Sequence, residues 1–180
     1  QQQQSAGGQR QYRPGFRQAD PLSVALCHVR MRVLLQQPMR ILQRVTDMFM
    51  AGSRSYSDAQ LALFDDVLLQ LSADIEVKAR AKLASQFAVM DNAPPKLVRS
   101  LAFDDKIEVA GPVLVLSEQL SDADLVENAT TKSQKHLFAI AQRLKLSEAV
   151  TDVLVERGNR RVVQKVAANK GARFSLAGYG

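Results

Sequence analysis

The sequence predicts an all-α protein, short helices stacked in a HEAT-like, irregular α-solenoid arrangement. Three observations predict it. Apolar residues recur at helical spacing in one segment after another, and strand-like alternation is absent. The stretch from Phe103 to Gly171 repeats one theme in FDDKIEVAGPVLVL, QKHLFAIAQRL and GNRRVVQKVAANKG: a polar opening, then an apolar, small-residue helix pattern. Between these lie SDADLVENA and SEAVTDVLVERG, whose Leu125-Val126-Glu127 and Leu154-Val155-Glu156 match at an offset of 29. Units of this kind bury their apolar faces only against neighbours. The period, about 26 to 32 residues, is shorter than the roughly 40–47 of HEAT and armadillo units, so the helices are expected to be short and the units irregular.

Residues 1–20 form a Gln-rich, low-complexity leader with little to bury, expected to be flexible. Residues 21–180 read as a single all-helical domain, with basic N-terminal helices over 21–51 and a helical array over 57–175. Pro21 opens the first helix, with Leu22, Leu26, Val29 and Val33 on one stripe. Pro38 ends it and suits the first turn of the next, where Ile41, Leu42, Val45, Met48 and Phe49 recur at helical spacing. Ser57 with Gln60 reads as a capping box before a core stripe of Leu61, Phe64, Leu68 and Leu71, which places Asp65 and Asp66 on the exposed side. Ser72 is the expected cap of the following helix. On it Val77, Ala81, Ala84 and Ala88 face the core, and Asp74–Lys78 and Glu76–Arg80 are the expected surface pairs.

Pro95 is placed to start KLVRSLAF. Asp105 with Glu108 reads as a second capping box, and Gly111-Pro112 as a kink or a turn before a helix. Ser121 with Asp124 starts the next helix. Leu137, Ile140, Ala141 and Leu144 form one core stripe, and Val150, Val153 and Leu154 another that ends at Gly158 as the helix C′ residue. Val162, Val163, Val166 and Ala167 close the series.

The 180 residues are 46% hydrophobic, enough for one sizeable core. No apolar run approaches the roughly 18 residues of a membrane span. The single cysteine, Cys27, excludes an internal disulfide and fits a reducing, cytoplasmic setting. Net charge is +6, unevenly spread: +6 over residues 1–54, −6 over 55–156 and +6 over 157–180. Basic ends around an acidic middle attract anionic partners and also allow head-to-tail pairing with a second copy, a homo-oligomer.

No catalytic constellation is visible, and no cofactor or metal is expected. Cys27 and His28 are adjacent and diverge by about 100° on a helix, so they make no nucleophile–base pair. His136 reads as a structural or surface residue. Asp65-Asp66 and Asp104-Asp105 read as capping or solvated carboxylates, not paired acids. HExxH, CxxC, P-loop and GxGxxG motifs are missing. The candidate partner- or anion-binding residues are therefore cationic: Arg30, Arg32, Arg40 and Arg44 on the N-terminal helices, and Arg160, Arg161 and Lys165 near the C-terminus. The expected function is a non-enzymatic helical-repeat scaffold that binds a protein partner. The alternative is nucleic-acid binding through the basic N- and C-terminal helices by phosphate contacts; without tryptophan, stacking on single strands is disfavoured.

The segments LALFDDVLLQLSADIEVKARAKLA, LVRSLAFDDKIEVAGPVLVLSEQLSDADLVENA and LSEAVTDVLVERGNRRVVQKVAANKGARFS closely resemble the uncharacterised bacterial domain family 2336, over roughly residues 40–175. The resemblance implies an all-helical bacterial cytoplasmic protein, distantly similar to leucine-rich-repeat-variant and HEAT arrays. It carries over no catalytic or binding residue. Members of that family usually continue further, so the chain is expected to be an N-terminal fragment of a longer protein.

Overall fold

Helix-start chemistry sets the chain's punctuation. Serine or asparagine precedes five of the helices, and proline stands first in two more. The computed structural model describes residues 38–52 and 54–175, all within the compact unit Gln37–Gly180. The Gln-rich leader, the Pro21 helix, Cys27, His28, Arg30 and Arg32 lie outside the described residues.

Among the described residues there are nine helices: α1 (Pro38–Gly52), α2 (Asp58–Ala73), α3 (Val77–Phe87), α4 (Pro95–Ala102), α5 (Ile107–Leu116), α6 (Asp122–Thr131), α7 (Gln134–Ile140), α8 (Glu148–Arg157) and α9 (Arg160–Ala167). The class is all-α. One isolated parallel bridge, Leu146 to Ala172, is the extended pairing seen among these residues.

Alternate helices pack on one another. α3 packs on α5, α5 on α7 and α7 on α9; on the other side α2 packs on α4 and α6 on α8. Successive helices join the two sets, as α4 does with α5 and α8 with α9. The N-cap residues Pro94, Ser121 and Ser147 are 27 and 26 residues apart, and so are Lys106, Ser133 and Asn159. Core positions follow that register. Val98, Leu125 and Thr151 are all buried, as are Leu101, Asn128 and Leu154, then Val109, His136 and Val162, then Val113, Ile140 and Val166. The offset of 29 between the two Leu-Val-Glu triplets is not the structural register: Leu125 is the fourth residue of α6 and Leu154 the seventh of α8.

Each helix end leaves carbonyls without an intrahelical partner, and the next unit supplies donors for them. Asn128 Nδ2 donates to the Ala102 carbonyl that ends α4 (2.8 Å). Arg143 donates to the Leu114 and Ser117 carbonyls at the end of α5 (2.7 and 2.8 Å), and Arg157 to the Ala129 and Thr130 carbonyls of α6. Asn169 Nδ2 closes the series on the carbonyls of Ala141 and Arg143 (3.1 and 2.7 Å). At the other end Phe49, Tyr56, Phe64 and Phe87 form an aromatic cluster that joins α1 to α2 and α3.

Several expectations are corrected. Ser72 does not cap α3; it is buried and donates to Leu69 O, and α3 begins after Glu76. Arg80 reaches across to Asp104 (2.8 Å) and to the Ile75 carbonyl, not to Glu76. Asp105 caps nothing. Asp104 accepts from the Lys106 amide, and Asp105 pairs with Lys132 at 2.6 Å. The turn expected as one reading of Gly111-Pro112 is not formed, since α5 runs on through both residues. Ile41, Met48 and Leu144 are exposed, Leu144 because α7 has already ended at Ile140. Gly158 ends α8 in extended backbone (φ −70°), not in the left-handed conformation. The capping boxes at Ser57–Gln60 and Ser121–Asp124 are formed as the sequence predicts.

A cationic helix layer and its groove

Charge sorts by layer. α3, α5, α7 and α9 carry seven Lys/Arg and a single acid, Glu108. α2, α4, α6 and α8 carry three Lys/Arg and nine acids. Part of the reason is local: four of the nine acids, Asp58, Asp122, Asp124 and Glu148, stand in the first turns of the serine-capped helices α2, α6 and α8, where the helix dipole favours them. The acidic layer uses part of its charge internally. Lys96 pairs with Asp66 (2.6 Å), and Arg99 with Asp124 and Glu127 (2.7 and 2.6 Å), which ties α2, α4 and α6 together. Of the cationic layer's seven Lys/Arg, only Arg80 has an ion pair among the described residues.

A groove of about 440 Å³ crosses the cationic layer between α5, α7 and α9. Ile107, Gly111, Val115 and Phe138 line it with apolar surface, and Lys135, Arg161, Gln134, Gln142 and Asn159 with polar groups. Phe138 is half-buried, and the Arg161 guanidinium lies 4.6 Å from the centre of its ring. Gln134 is fixed at both ends, donating to the Arg157 carbonyl and accepting from the Asn159 amide, each at 2.8 Å. A second recess shares Ile107, Gln134 and Lys135 and runs on to Asp105 and Lys106.

Of the candidate cations, Arg160, Arg161 and Lys165 are exposed together on α9, and Arg161 alone lines the groove. Arg40 and Arg44 are exposed on α1, away from it, and Arg30 and Arg32 fall outside the described residues. Lys135, Phe138 and Gly111 were missed in the sequence. The signal that finds them is the 26-residue register, which sets Lys135 level with Arg161.

The buried polar groups have structural duties. Asp65 is not on the exposed side: it is 2% exposed, and its carboxylate accepts the amides of Lys96 (2.9 Å) and Leu97 (2.8 Å) at the start of α4. His136 is buried, with Nδ1 2.8 Å from Ser133 Oγ and Nε2 2.9 Å from the Asp104 carbonyl. Nε2 therefore carries the proton and donates to that carbonyl. Burial lowers the pKa of Arg143, opposed by Asp122 and Glu118. The hydrogen bond from Lys132 holds Asp105 below the usual carboxylate range. Burial raises Asp124, but the bonds from Ser121 and the Arg99 guanidinium together outweigh it and leave its pKa lowered. Among the described residues, no group of three or more His, Cys, Asp or Glu is placed to hold a metal ion, and no helix is long and apolar enough to cross a membrane.

A family model described as an uncharacterised protein conserved in bacteria (DUF2336) matches residues 109–180, which hold α6 to α9 and most of α5. The chain is similar to that bacterial family over this segment. No curated protein and no solved structure matches the chain significantly.

Proposed function

We propose that this chain is a non-enzymatic, HEAT-like helical-repeat scaffold of the bacterial cytoplasm that holds a protein partner on its cationic helix layer. The observation that carries the reading is the sorting of charge: seven Lys/Arg against one acid on α3, α5, α7 and α9, six of the seven without an ion pair among the described residues. Unpaired charge on one face steers a complementary partner and fixes its orientation. The buried Asp65 and His136 and the half-buried Arg143 support the non-enzymatic part, since each spends its hydrogen bonds on helix ends or neighbouring backbone.

The test is affinity capture from nuclease-treated bacterial lysate with three baits. Wild type and Glu148→Lys, altered on the acidic layer, should retain the same discrete protein. The double variant Arg161→Glu/Lys165→Glu should lose it. An empty eluate from wild type under gentle washing overturns the proposal. A second reading, nucleic-acid binding, draws on the exposed Arg160, Arg161 and Lys165 of α9; it requires nucleic acid retained from untreated lysate and released at moderate salt.

A further inference from the structure

We infer that the groove between α5, α7 and α9 is the docking site for an acidic amphipathic helix of another protein. This deepens the scaffold reading and rests on it. The groove's own chemistry selects the occupant. Its floor is apolar, with Ile107, Val115 and Phe138 each half-buried and so still exposing hydrocarbon. Gly111 keeps the middle of that floor open, since a Cβ there would meet only the Ile107 side chain, 3.8 Å away. Apolar side chains projecting from a partner fill such a floor and shed water from both surfaces.

The walls select for acid. Lys135 and Arg161 are exposed and have no ion pair among the described residues. Arg161 holds its guanidinium over the Phe138 ring, and its N–H groups offer a carboxylate the planar, two-bond geometry that arginine favours. Gln134 is already locked between Arg157 and Asn159, so this part of the wall needs no ordering when a partner arrives. Glu108, in the first turn of α5, repels acid at that end and gives the docked helix a direction.

Other occupants fit less well. Single-stranded nucleic acid needs an open aromatic face, and Arg161 covers that of Phe138. A duplex presents phosphates but nothing to fill an apolar floor. No strand among the described residues offers an edge to an extended peptide, which leaves helix-in-groove docking.

The probe is a fluorescein-labelled synthetic peptide of about 20 residues, with Leu and Phe at i, i+3, i+4 and i+7 and Glu elsewhere, read by anisotropy against the full chain. Two control peptides replace its apolar residues by Ser, or its Glu by Gln. The acidic amphipathic peptide should bind saturably, and each control at least about tenfold more weakly. Gly111→Leu, which fills the floor while favouring the helix, and Arg161→Glu should each weaken binding about tenfold or more. Arg40→Glu, the same charge change on α1, should leave it unchanged. Circular dichroism and the thermal midpoint establish that each variant is folded, and Arg161→Lys separates stacking and bidentate pairing from charge alone.

The proposal falls if the peptide does not bind wild type, or binds the Gly111→Leu and Arg161→Glu variants equally well. In either case a partner still captured from lysate leaves the scaffold reading standing and moves the site elsewhere. Tighter binding of oligonucleotides with steep salt dependence, or self-association in light scattering that Gly111→Leu abolishes, also overturns it, in favour of nucleic acid or of a second copy.

Discussion

Replacing Asp65 by alanine tests the reasoning about how the array is clamped. The Asp65 carboxylate is 2% exposed and accepts two backbone amides, Lys96 N at 2.9 Å and Leu97 N at 2.8 Å. These are the second and third residues of α4, whose N-cap position is Pro94, a residue with no side-chain acceptor. Asp65 therefore caps α4 from 30 residues away in the chain. Losing a cap costs about 0.5–2 kcal/mol, and a buried donor left unsatisfied about 1–3 kcal/mol. With two amides affected, Asp65→Ala should cost about 3 kcal/mol, or roughly 6–12 °C in Tm for a domain of this size. Asp65→Asn keeps one acceptor and should lie between. Asp66→Ala is the internal control, since Asp66 is exposed and pairs with the equally exposed Lys96; its urea midpoint should match wild type. The assay is urea unfolding followed by far-ultraviolet circular dichroism at fixed pH. A midpoint for Asp65→Ala indistinguishable from that of Asp66→Ala would refute the capping assignment.

Three further outcomes follow from the same geometry. Gly171→Ala should destabilise the C-terminal pairing by about 1–3 kcal/mol, because a Cβ there runs into the Leu144 carbonyl oxygen; hydrogen exchange at the Leu146 and Arg173 amides should accelerate, and unchanged protection would refute it. Arg143→Met should cost about 2–4 kcal/mol by orphaning the Leu114 and Ser117 carbonyls, read as a lower urea midpoint with an unchanged helical spectrum. Asp124 has a lowered pKa, so its contribution is complete above the ordinary carboxylate value of about 4 and is lost as pH falls through its own folded value. The urea midpoint should therefore hold from pH 7 to 5 and fall below about pH 4. Asp124→Asn should start lower at pH 7 and converge with wild type in acid; parallel curves would be the contrary result.

Much of the local fold is legible in the residues themselves. Ser57–Gln60 and Ser121–Asp124 announce their helices because a capping box is built from four consecutive residues and needs no tertiary partner. Asp65 is illegible for the opposite reason: the amides it serves lie in a helix that begins 30 residues later. Spacing alone puts it on the outer side of α2, and only the placement of α4 against that side buries it. Asp105 fails similarly, since the Lys132 that holds it is 27 residues away and Asp104 has taken the local amide. The Leu-Val-Glu match misleads because two like triplets at 29 are chemically more conspicuous than unlike N-caps at 26 or 27. Asn128, His136 and Thr151 hide the true register further, as polar residues at positions that are apolar in the neighbouring units.

The candidate site shows how far a linear reading of charge can differ from a spatial one. Along the chain the basic residues gather at the ends, which points to Arg40 and Arg44 as readily as to Arg161. In the fold, successive helices go to opposite layers, so charge must be counted by alternate helices, and the acidic middle separates into a cationic strip and an anionic one. Lys78, Lys82 and Lys135, unremarkable within a stretch of net −6, join Arg160, Arg161 and Lys165 on one layer. Arg157 shows the converse. It belongs to the same basic C-terminal cluster in sequence, yet it ends α8 and turns back to the α6 carbonyls, so it is spent on the structure. Helix parity, not proximity to a terminus, separates the cations that tie helices together from those without an ion pair among the described residues, with Arg80 on α3 the exception.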